Sequence, residues 1–299
     1  MAKKFVKPAP PPSKEELLSY HLHRYLAHKR PHRGLENIHA SDVTKTDFCA
    51  RRLALMEKCG VQGKEDFVST AMKLVWYQGE IMEAGIQKWA HAAGIGVGHW
   101  KCGACSHLHD TDIGTKPVSC LNCGFNLFHY EQVRPTSQDS GISAGIDLLV
   151  KLPGIEKLRV VECKTYPKDQ FQSLAAPLAE HRDRTRLYLR CAAEDPRYAD
   201  IIDTEMAHVF YVSKGGFGQK SEKPKEWGLP DAAWSPFKEF IIKADHEGVE
   251  PYAVKSRPLW AWKNGGPMCG GICQTGFDKV AQRCEVLKEC FSGQFPAGK

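Results

Sequence analysis

Four cysteines in two close pairs constrain the fold of this chain more than any other feature of its sequence. They form two C-x2-C pairs with fourteen residues between them: Cys102, Cys105, Cys120 and Cys123. Thiolates at this spacing can surround one metal ion tetrahedrally. Small or turn-forming residues within the pairs, in "CGAC" and "CLNCG", suit a backbone that wraps around an ion. The spacing therefore predicts a zinc ribbon over residues 99–130, with Zn²⁺ bound by these four thiolates.

The composition is that of a globular protein with a mild positive charge. Of its 299 residues, 42% are hydrophobic and 25% are charged, which is enough apolar side chain for one large domain with inserts. The formal net charge of +6 and the sequence pI of about 8.6 permit a nucleic-acid partner without requiring one. Neither a signal peptide nor a run of about 18 apolar residues is present, so we expect a cytoplasmic protein without a membrane span.

Hydrophobic periodicity predicts an α/β core with an insert. The expected organisation is a flexible basic arm and helix (1–34), a helical part of the core domain (35–98), the ribbon insert (99–130), the main core (131–255) and a cysteine-rich C-terminal segment (256–299). Apolar residues at helical spacing predict helices within 65–95 and 169–194. Short apolar runs predict a pair of strands within 141–166 and a further strand at 205–213.

Charged residues interrupt the predicted strand pair. Glu162 and Lys164 lie two residues apart in one strand and therefore share a face. If the hairpin is symmetric about residues 154–155, Asp147 lies directly opposite Glu162, with the Cβ atoms about 5 Å apart. Two carboxylates at that distance repel each other unless a cation lies between them, and their oxygen atoms suit Mg²⁺ or Mn²⁺. The alternative is a salt-bridged cluster on a solvated face of the sheet.

Lys164 has a clear use beside such a metal ion. Its ammonium group can position or deprotonate a water molecule, or stabilise the charge that develops on a phosphate. The metal ion itself lowers the pKa of a bound water and polarises a phosphoryl oxygen. The three charged residues are therefore suited to phosphate chemistry.

The order of these residues resembles the signature of a nuclease superfamily. Asp147 followed by Glu162-Cys163-Lys164 is similar to the D…(D/E)-x-K motif of the PD-(D/E)xK nucleases. The proline that usually precedes the aspartate is absent, as it often is in the RecB-like branch. The resemblance implies a restriction-endonuclease-like core, in which helices flank a central mixed sheet. It also implies that Asp147, Glu162 and the carbonyl oxygen of Cys163 bind Mg²⁺ or Mn²⁺, while Lys164 orients the attacking water.

Two further segments resemble helical motifs of the RecB-like branch. Gly79 and Glu83 in "GEIME" match its G-x-x-x-(H/E) motif, whose last residue joins the metal site. Tyr188 matches the tyrosine of its Q-x-x-x-Y motif, in which Arg184 stands in place of the glutamine. The resemblance covers residues 40–215 and implies that Arg184 and Tyr188 contact the DNA backbone.

A second set of cysteines has one member near the start of the region of resemblance and the others after its end. In the fourth CRISPR-associated (Cas) family of RecB-like nucleases, one cysteine before the core and three after it hold a [4Fe–4S] cluster. The resemblance implies that the ligands here are Cys49, Cys269, Cys273 and Cys284, with Cys290 as the alternative to Cys284. Buried free thiols and a second zinc site are the other interpretations of this set.

The predicted function is that of a Mg²⁺- or Mn²⁺-dependent deoxyribonuclease. Resemblance to the fourth Cas family, including its phage-borne forms, implies exonuclease action on DNA that has free ends or is single-stranded. Recombination, repair and spacer acquisition are the implied processes, with a recombination or CRISPR-adaptation protein as the implied protein partner. A catalytically silent DNA-binding module that grips DNA through the ribbon, and an RNA-processing nuclease, are the alternatives.

Overall fold

The computed structural model describes most of the middle of the chain and parts of both ends. The described residues are 38–45, 48–49, 69–215 and 236–256, together with 18, 52, 55–56, 282, 284 and 286–290. The predicted arm and helix at 1–34, apart from Leu18, lie outside the described residues. Two of the predicted iron–sulfur ligands, Cys269 and Cys273, also lie outside them.

Six strands follow one another in the middle of the described residues, with helices before and after them. The strands are β1 (Ile38–His39), β2 (Gly96–Cys102), β3 (Leu108–Gly114), β4 (Phe128–Glu131), β5 (Ile142–Ser143), β6 (Leu148–Val150), β7 (Leu158–Tyr166), β8 (Ile202–Ser213) and β9 (Phe237–Lys243). The helices whose bounds are described are α1 (Ala40–Val43), α2 (Thr70–Ala92), α3 (Lys168–Ser173), α4 (Ala179–Glu194), α5 (His246–Ser256) and α6 (Leu287–Cys290).

The central sheet contains seven of the described strands. Six follow one another in the order β3-β2-β6-β7-β8-β9, and β4 pairs with β2 beside them. Neighbouring strands are antiparallel, except that β7 and β8 are parallel. A separate parallel pair joins β1 to β5. The expected α/β architecture with a mixed sheet is therefore confirmed.

Helices cover both faces of this sheet because its middle strands are apolar on both sides. Val161 of β7 packs against Ile86 of α2 on one face. Its neighbour Val160 packs against Leu187 of α4 on the other face, since successive side chains of a strand point in opposite directions. Burial of each such side chain contributes about 1.5–3 kcal/mol. The two helices are thereby held on opposite sides of β7, where the predicted charged residues lie.

The predicted hairpin forms in the predicted register. Leu148 of β6 pairs with Val161 of β7, which places Asp147, one residue before β6, opposite Glu162. Gly154 has a φ of +75° in the connecting turn, a conformation that glycine adopts without the steric penalty of a Cβ atom. Turn chemistry and register therefore agree, and the two carboxylates face each other across the hairpin.

The predicted helices differ in how continuously they form. The long helix α2 begins after Ser69, whose hydroxyl oxygen accepts a hydrogen bond from the Met72 backbone N–H at 3.2 Å. The segment predicted as one helix within 169–194 is divided into α3 and α4, because Pro177 in the connection cannot continue a helix from the preceding turn. None of the helices in the described part of the chain has the length and apolar character needed to cross a membrane.

Strand β2 is shared between the central sheet and the cysteine-rich segment. Its beginning pairs with β6 through Gly96 and Val97. Its end pairs with β4 from His99 to Cys102. The boundary expected at 98/99 thus falls within one continuous strand, and the cysteine-rich segment extends the core sheet.

Candidate active site

The charged residues of the hairpin meet in one buried cluster. Glu162 is fully buried, and Asp147 is 8% exposed. The Lys164 ammonium forms an ion pair with Glu162 Oε1 and lies 3.7 Å from Asp147 Oδ2. The same Oδ2 atom accepts a hydrogen bond from the Cys163 backbone N–H at 2.9 Å. The structure therefore brings together the aspartate, the glutamate and the lysine of the predicted motif.

Helix α2 adds a third carboxylate to this cluster. Gln87 Nε2 donates hydrogen bonds to the Asp147 carbonyl oxygen at 2.8 Å and to Glu83 Oε1 at 3.3 Å. Glu83 and Gln87 lie one helical turn apart, so they share a face of the helix. Burial raises the pKa of Glu83, an effect that Lys164 opposes and Glu162 reinforces. Glu83 thus lies within the electric field of the hairpin cluster, and its participation in a metal site stays a prediction.

Gln132, which follows β4, bridges two of the carboxylates. Its Nε2 atom lies 3.4 Å from Glu83 Oε1 and 3.3 Å from Asp147 Oδ1. Sequence reasoning missed Gln132, because it lies in an irregular segment where no periodicity marks its orientation. Gln87 was missed as well, although its four-residue spacing from Glu83 is a signal that could have identified it.

Helix α4 supplies two further residues on the other side of Glu162. Arg184 Nη1 donates a hydrogen bond to Glu162 Oε1 at 3.2 Å, while its Nη2 donates to Glu180 Oε1 at 2.6 Å. Tyr188, one turn along the helix, is only 4% exposed. Burial, and then the nearby charge of Glu162, raises the pKa of the Tyr188 hydroxyl well above its ordinary value. Tyr188 is therefore a buried neighbour of the cluster, whereas Arg184 lines it.

The buried charges shift one another's protonation. Burial and the charge of Glu162 raise the pKa of Asp147 well above its ordinary value. Burial also acts to raise the pKa of Glu162, but Lys164 and Arg184 outweigh it and leave that pKa lowered. For Lys164, the attraction of Glu162 and Asp147 outweighs the effect of burial and raises the pKa of its ammonium. Lys164 is therefore a cation at neutral pH and cannot accept a proton there.

The donor atoms of this cluster are of the chemical kind that a divalent cation prefers, although the Lys164 ammonium is the cation paired with Glu162 here. Among the residues that the structure describes, Glu162 contributes a buried carboxylate oxygen, Oε2, that accepts no hydrogen bond. An unsatisfied buried oxygen is costly, and a cation would satisfy it. If all are ionised, three carboxylates face two cationic side chains and leave one formal negative charge: Glu83, Asp147 and Glu162 against Lys164 and Arg184. Carboxylate oxygens are the ligands that Mg²⁺ and Mn²⁺ prefer.

The four cysteines of the predicted ribbon form a second candidate metal site. Their Sγ atoms all lie within 4.8 Å of one another, with 3.6 Å between Cys102 and Cys123 and 3.7 Å between Cys105 and Cys120. Four Zn–S bonds of about 2.3 Å in a tetrahedron place the sulfur atoms about 3.8 Å apart. The cysteines are therefore placed to hold one metal ion. Within the described ranges, no other group of three or more His, Cys, Asp or Glu residues has its ligand atoms this close together.

The outer set of cysteines is described only in part. Cys269 and Cys273 lie outside the described residues. Cys284 and Cys290 pack against a small apolar cluster that includes residues 55–56. Within the described part of the chain, Cys284, Val286 and Cys290 therefore lie beside Leu55 and Met56. Ligation of an iron–sulfur cluster by this set stays a prediction.

The fold and the site define a mixed α/β protein with a buried carboxylate–lysine cluster and a four-cysteine site. No protein-family profile and no curated protein matches the chain. Two similar solved structures are LHK-Exo in complex with dAMP and an alkaline exonuclease (LHK-Exo) from Laribacter hongkongensis. In each case the identity is 14% and the TM-score 0.38, over 87% of this chain and 96% of the other. Because an identity and a TM-score this low do not support a functional assignment, we base the assignment on the residues of the site.

Proposed function

We propose that this protein is a metal-dependent deoxyribonuclease with a RecB-like, restriction-endonuclease-like core. The observation that carries the proposal is the buried cluster of Asp147, Glu162 and Lys164 on one hairpin, with Glu83 beside it. Replacing a buried ion cluster with apolar residues is often neutral or stabilising, so stability alone does not account for these charges. Metal-dependent hydrolysis of a phosphodiester would account for these buried charges.

The carboxylates would hold one or two Mg²⁺ or Mn²⁺ ions. The ligands would be Glu83, Asp147 and Glu162, together with the carbonyl oxygen of Cys163. That carbonyl accepts a hydrogen bond from Lys164 Nζ at 3.2 Å, so it faces the same cluster. When bound, the ion would polarise a phosphoryl oxygen and lower the pKa of a bound water.

The basic residues of the cluster take separate roles in this proposal. Lys164 is held protonated by its carboxylate neighbours, so it orients the attacking water and stabilises charge on the phosphate rather than removing a proton. Arg184, with 13% of its side chain exposed, is able to reach a backbone phosphate. Tyr188 is buried beside Glu162, so its effect on DNA would act through that carboxylate.

The resemblance supports the finer parts of the proposal. The substrate would be DNA with free ends or single-stranded DNA, degraded as an exonuclease does, in the cytoplasm. The processes would be recombination, repair or spacer acquisition, with a recombination or CRISPR-adaptation protein as partner. The four-cysteine segment would hold Zn²⁺ and the outer cysteines a [4Fe–4S] cluster. A net charge of +6 favours binding to the phosphate backbone.

Degradation of end-labelled DNA tests this proposal. The full chain, purified without oxygen, is incubated with single- and double-stranded DNA in the presence and absence of Mn²⁺. We expect metal-dependent degradation that falls about 100-fold or more in Glu162→Gln and in Lys164→Ala, because each removes a charge from the reacting centre. Lys157→Ala is the matched control, since this exposed lysine lies directly before β7 on the same hairpin.

Three results would contradict the assignment in different ways. Activity that is equal in the wild type and both site variants would remove the catalytic role of the cluster. Degradation of RNA but not DNA would establish the RNA-processing alternative. Tight DNA binding without cleavage under any metal condition would favour the binding module.

A further inference from the structure

Gln132 is the point at which the four-cysteine segment meets the buried carboxylates. Strand β4 pairs with β2 over four residues, beginning with Phe128 opposite Cys102. Gln132 is the first residue after β4, and its amide nitrogen reaches both Glu83 and Asp147. A strand rises about 3.4 Å per residue, so Gln132 lies about 14 Å along the strand from a cysteine of the ribbon.

The amide of Gln132 is held in one orientation. Arg134 Nη2 donates a hydrogen bond to Gln132 Oε1 at 2.9 Å, and a guanidinium group can only donate. The NH₂ end of the amide therefore faces the two carboxylates, which only accept when ionised. Gly145 leaves room for this arrangement, because a Cβ atom there would lie 2.9 Å from Gln132 Oε1 and 3.0 Å from Arg134 Nη1.

A neutral donor at this position has an electrostatic consequence. The NH₂ group of an amide can donate to two carboxylates at once and hold them close together. A lysine or arginine in the same place would do so as well, but its positive charge would compete with a metal ion. Gln132 instead adds no positive charge to the cluster, so it does not compete with a cation for the carboxylates.

We propose that Gln132 is a positioning residue that holds Glu83 and Asp147 at the separation a divalent cation requires. We further propose that the ribbon, with its metal bound, fixes Gln132 through β4. The inference rests on the proposed function, because it requires metal binding at these carboxylates. It gives the four-cysteine segment a role in the affinity of the active site for its ion.

Contacts on both sides of Gln132 connect the ribbon to the site. The Tyr130 hydroxyl, on β4, accepts a hydrogen bond from the Leu149 backbone N–H at 3.4 Å. Val133 forms an antiparallel bridge with Ile146, whose N–H donates to the Val133 carbonyl oxygen at 3.1 Å. Gln132 is therefore held between two attachments to residues 146–149, the segment that contains Asp147. A shift of β4 would change the distance between the Gln132 amide and its carboxylate partners.

The affinity of the protein for Mn²⁺ tests the role of Gln132 without requiring catalysis. Free Mn²⁺ is measured by electron paramagnetic resonance while the full-length protein, with its ribbon metal in place, is titrated with the ion. We expect Gln132→Met, which keeps the length of the side chain and removes its donors, to weaken Mn²⁺ binding about tenfold or more. Glu131→Gln, one residue earlier on the chain, is the control and should bind as the wild type does.

A second variant keeps the test decisive if Gln132→Met folds poorly. Arg134→Met leaves Gln132 in place and removes the contact that orients its amide, together with one positive charge. Loss of that charge alone would strengthen Mn²⁺ binding, so a weakening reports the loss of orientation. We expect Mn²⁺ binding to weaken in this variant too, by less than in Gln132→Met. Wild-type affinity in both variants, each with wild-type circular dichroism, would overturn the inference.

Glu162→Gln separates failure of the inference from failure of the proposed function. If the wild type binds no more Mn²⁺ than Glu162→Gln does, the active-site ion is absent and both proposals fall. If Mn²⁺ binding requires Glu162 but is unchanged in Gln132→Met, the inference alone falls.

A double-mutant cycle tests the connection to the ribbon. Cys123→Ser weakens the four-cysteine site, and we expect it to lower Mn²⁺ affinity when Gln132 is present. In the Gln132→Met background the same change should lower the affinity little further, because the residue that transmits the effect is already lost. Losses that simply add in the double variant would show that the ribbon does not act through Gln132.

Discussion

Asp195 shows how a buried carboxylate behaves when the protein itself supplies all its partners. Its Oδ2 atom accepts hydrogen bonds from the Thr136 backbone N–H at 3.0 Å and from Arg197 Nη2 at 2.7 Å. Burial acts to raise the pKa of Asp195, but Arg197 and the Thr136 N–H outweigh it and lower that pKa. Asp147 differs, since burial and a neighbouring carboxylate raise its pKa. The contrast is between a carboxylate that a neighbouring guanidinium group stabilises and one that lies beside a second carboxylate.

The partners of Asp195 predict an acid-sensitive contribution to stability. We expect Asp195→Asn to lower the free energy of unfolding at pH 7 by about 1–3 kcal/mol. The folded-state pKa of Asp195 lies below its ordinary value of 3.8, so the stabilisation is present above that pH and is lost as the pH falls through the folded-state pKa. Urea unfolding of both proteins at pH 7 and pH 3 measures this. A difference that stays constant with pH would contradict it.

The ion pairs of Lys164 lead us to expect that Mn²⁺ can stabilise the folded protein when this lysine is removed. We expect Lys164→Met to lower the free energy of unfolding by about 3–5 kcal/mol without added metal, because Glu162 and Asp147 lose their buried cation. Mn²⁺ should restore part of that loss and raise the melting temperature of the variant more than that of the wild type. Thermal unfolding with and without Mn²⁺ measures both effects. A variant whose melting temperature does not respond to Mn²⁺ would show that the carboxylates do not bind it.

At the scale of elements, β2 and β4 decide how the cysteine-rich segment attaches to the core. Gly98 of β2 lies beneath the ring of Tyr130 on β4, and a Cβ atom at Gly98 would lie only 2.2 Å from that ring. Glycine is therefore required by the close approach of the two strands. Trp100 and Tyr130 pack edge to face beside it, with ring centroids 5.7 Å apart.

A pair of glycine substitutions tests this packing. We expect Gly98→Ala to lower the free energy of unfolding by about 1–3 kcal/mol, because the Tyr130 ring must move. Gly114, the residue paired with Gly98 on β3, is the matched control, since a Cβ atom there meets nothing within 4 Å. Gly114→Ala should change the stability little. Urea unfolding of the two variants measures the difference, and equal losses would contradict the close approach.

Features that depend on residues close together in the sequence could be predicted from it. Features that depend on contacts between segments far apart in the sequence could not. The hairpin register follows from a turn centred on residues 154–155, and the structure has that register. Glu83 was identified through the resemblance of "GEIME" to a G-x-x-x-(H/E) motif, which is a local sequence pattern. Gln132 could not be found in this way, because its orientation depends on β4 pairing with a strand about thirty residues earlier. The burial of Tyr188 likewise depends on how α4 packs against the sheet.

At the scale of the whole molecule, two candidate metal sites share one sheet. The carboxylate cluster lies where β6 meets β7, and the four-cysteine site lies at the far end of β2. Each of them contains groups that a cation would satisfy, so the stability of the molecule should depend on metal at two places.

Removal of the ribbon metal should loosen one end of the sheet. We expect chelation to increase amide hydrogen exchange in β3, β4 and the end of β2, because the four-cysteine site beside these strands would lose its ion. Exchange in β7 and β8 should change little, since Val160 and Val209 are fully buried there. Hydrogen-exchange mass spectrometry before and after chelation measures this. A uniform increase over the whole sheet would contradict the prediction.

Strand β2 connects the four-cysteine segment directly to the core sheet. This strand belongs to the core at Gly96 and carries a cysteine of the four-cysteine site at Cys102, and its pairing with β3 shifts register between Gly98 and Trp100. The ribbon is therefore attached to the core through the backbone of a strand, with one irregularity along it. The orientation of the four-cysteine segment relative to the carboxylates is therefore set by the course of β2.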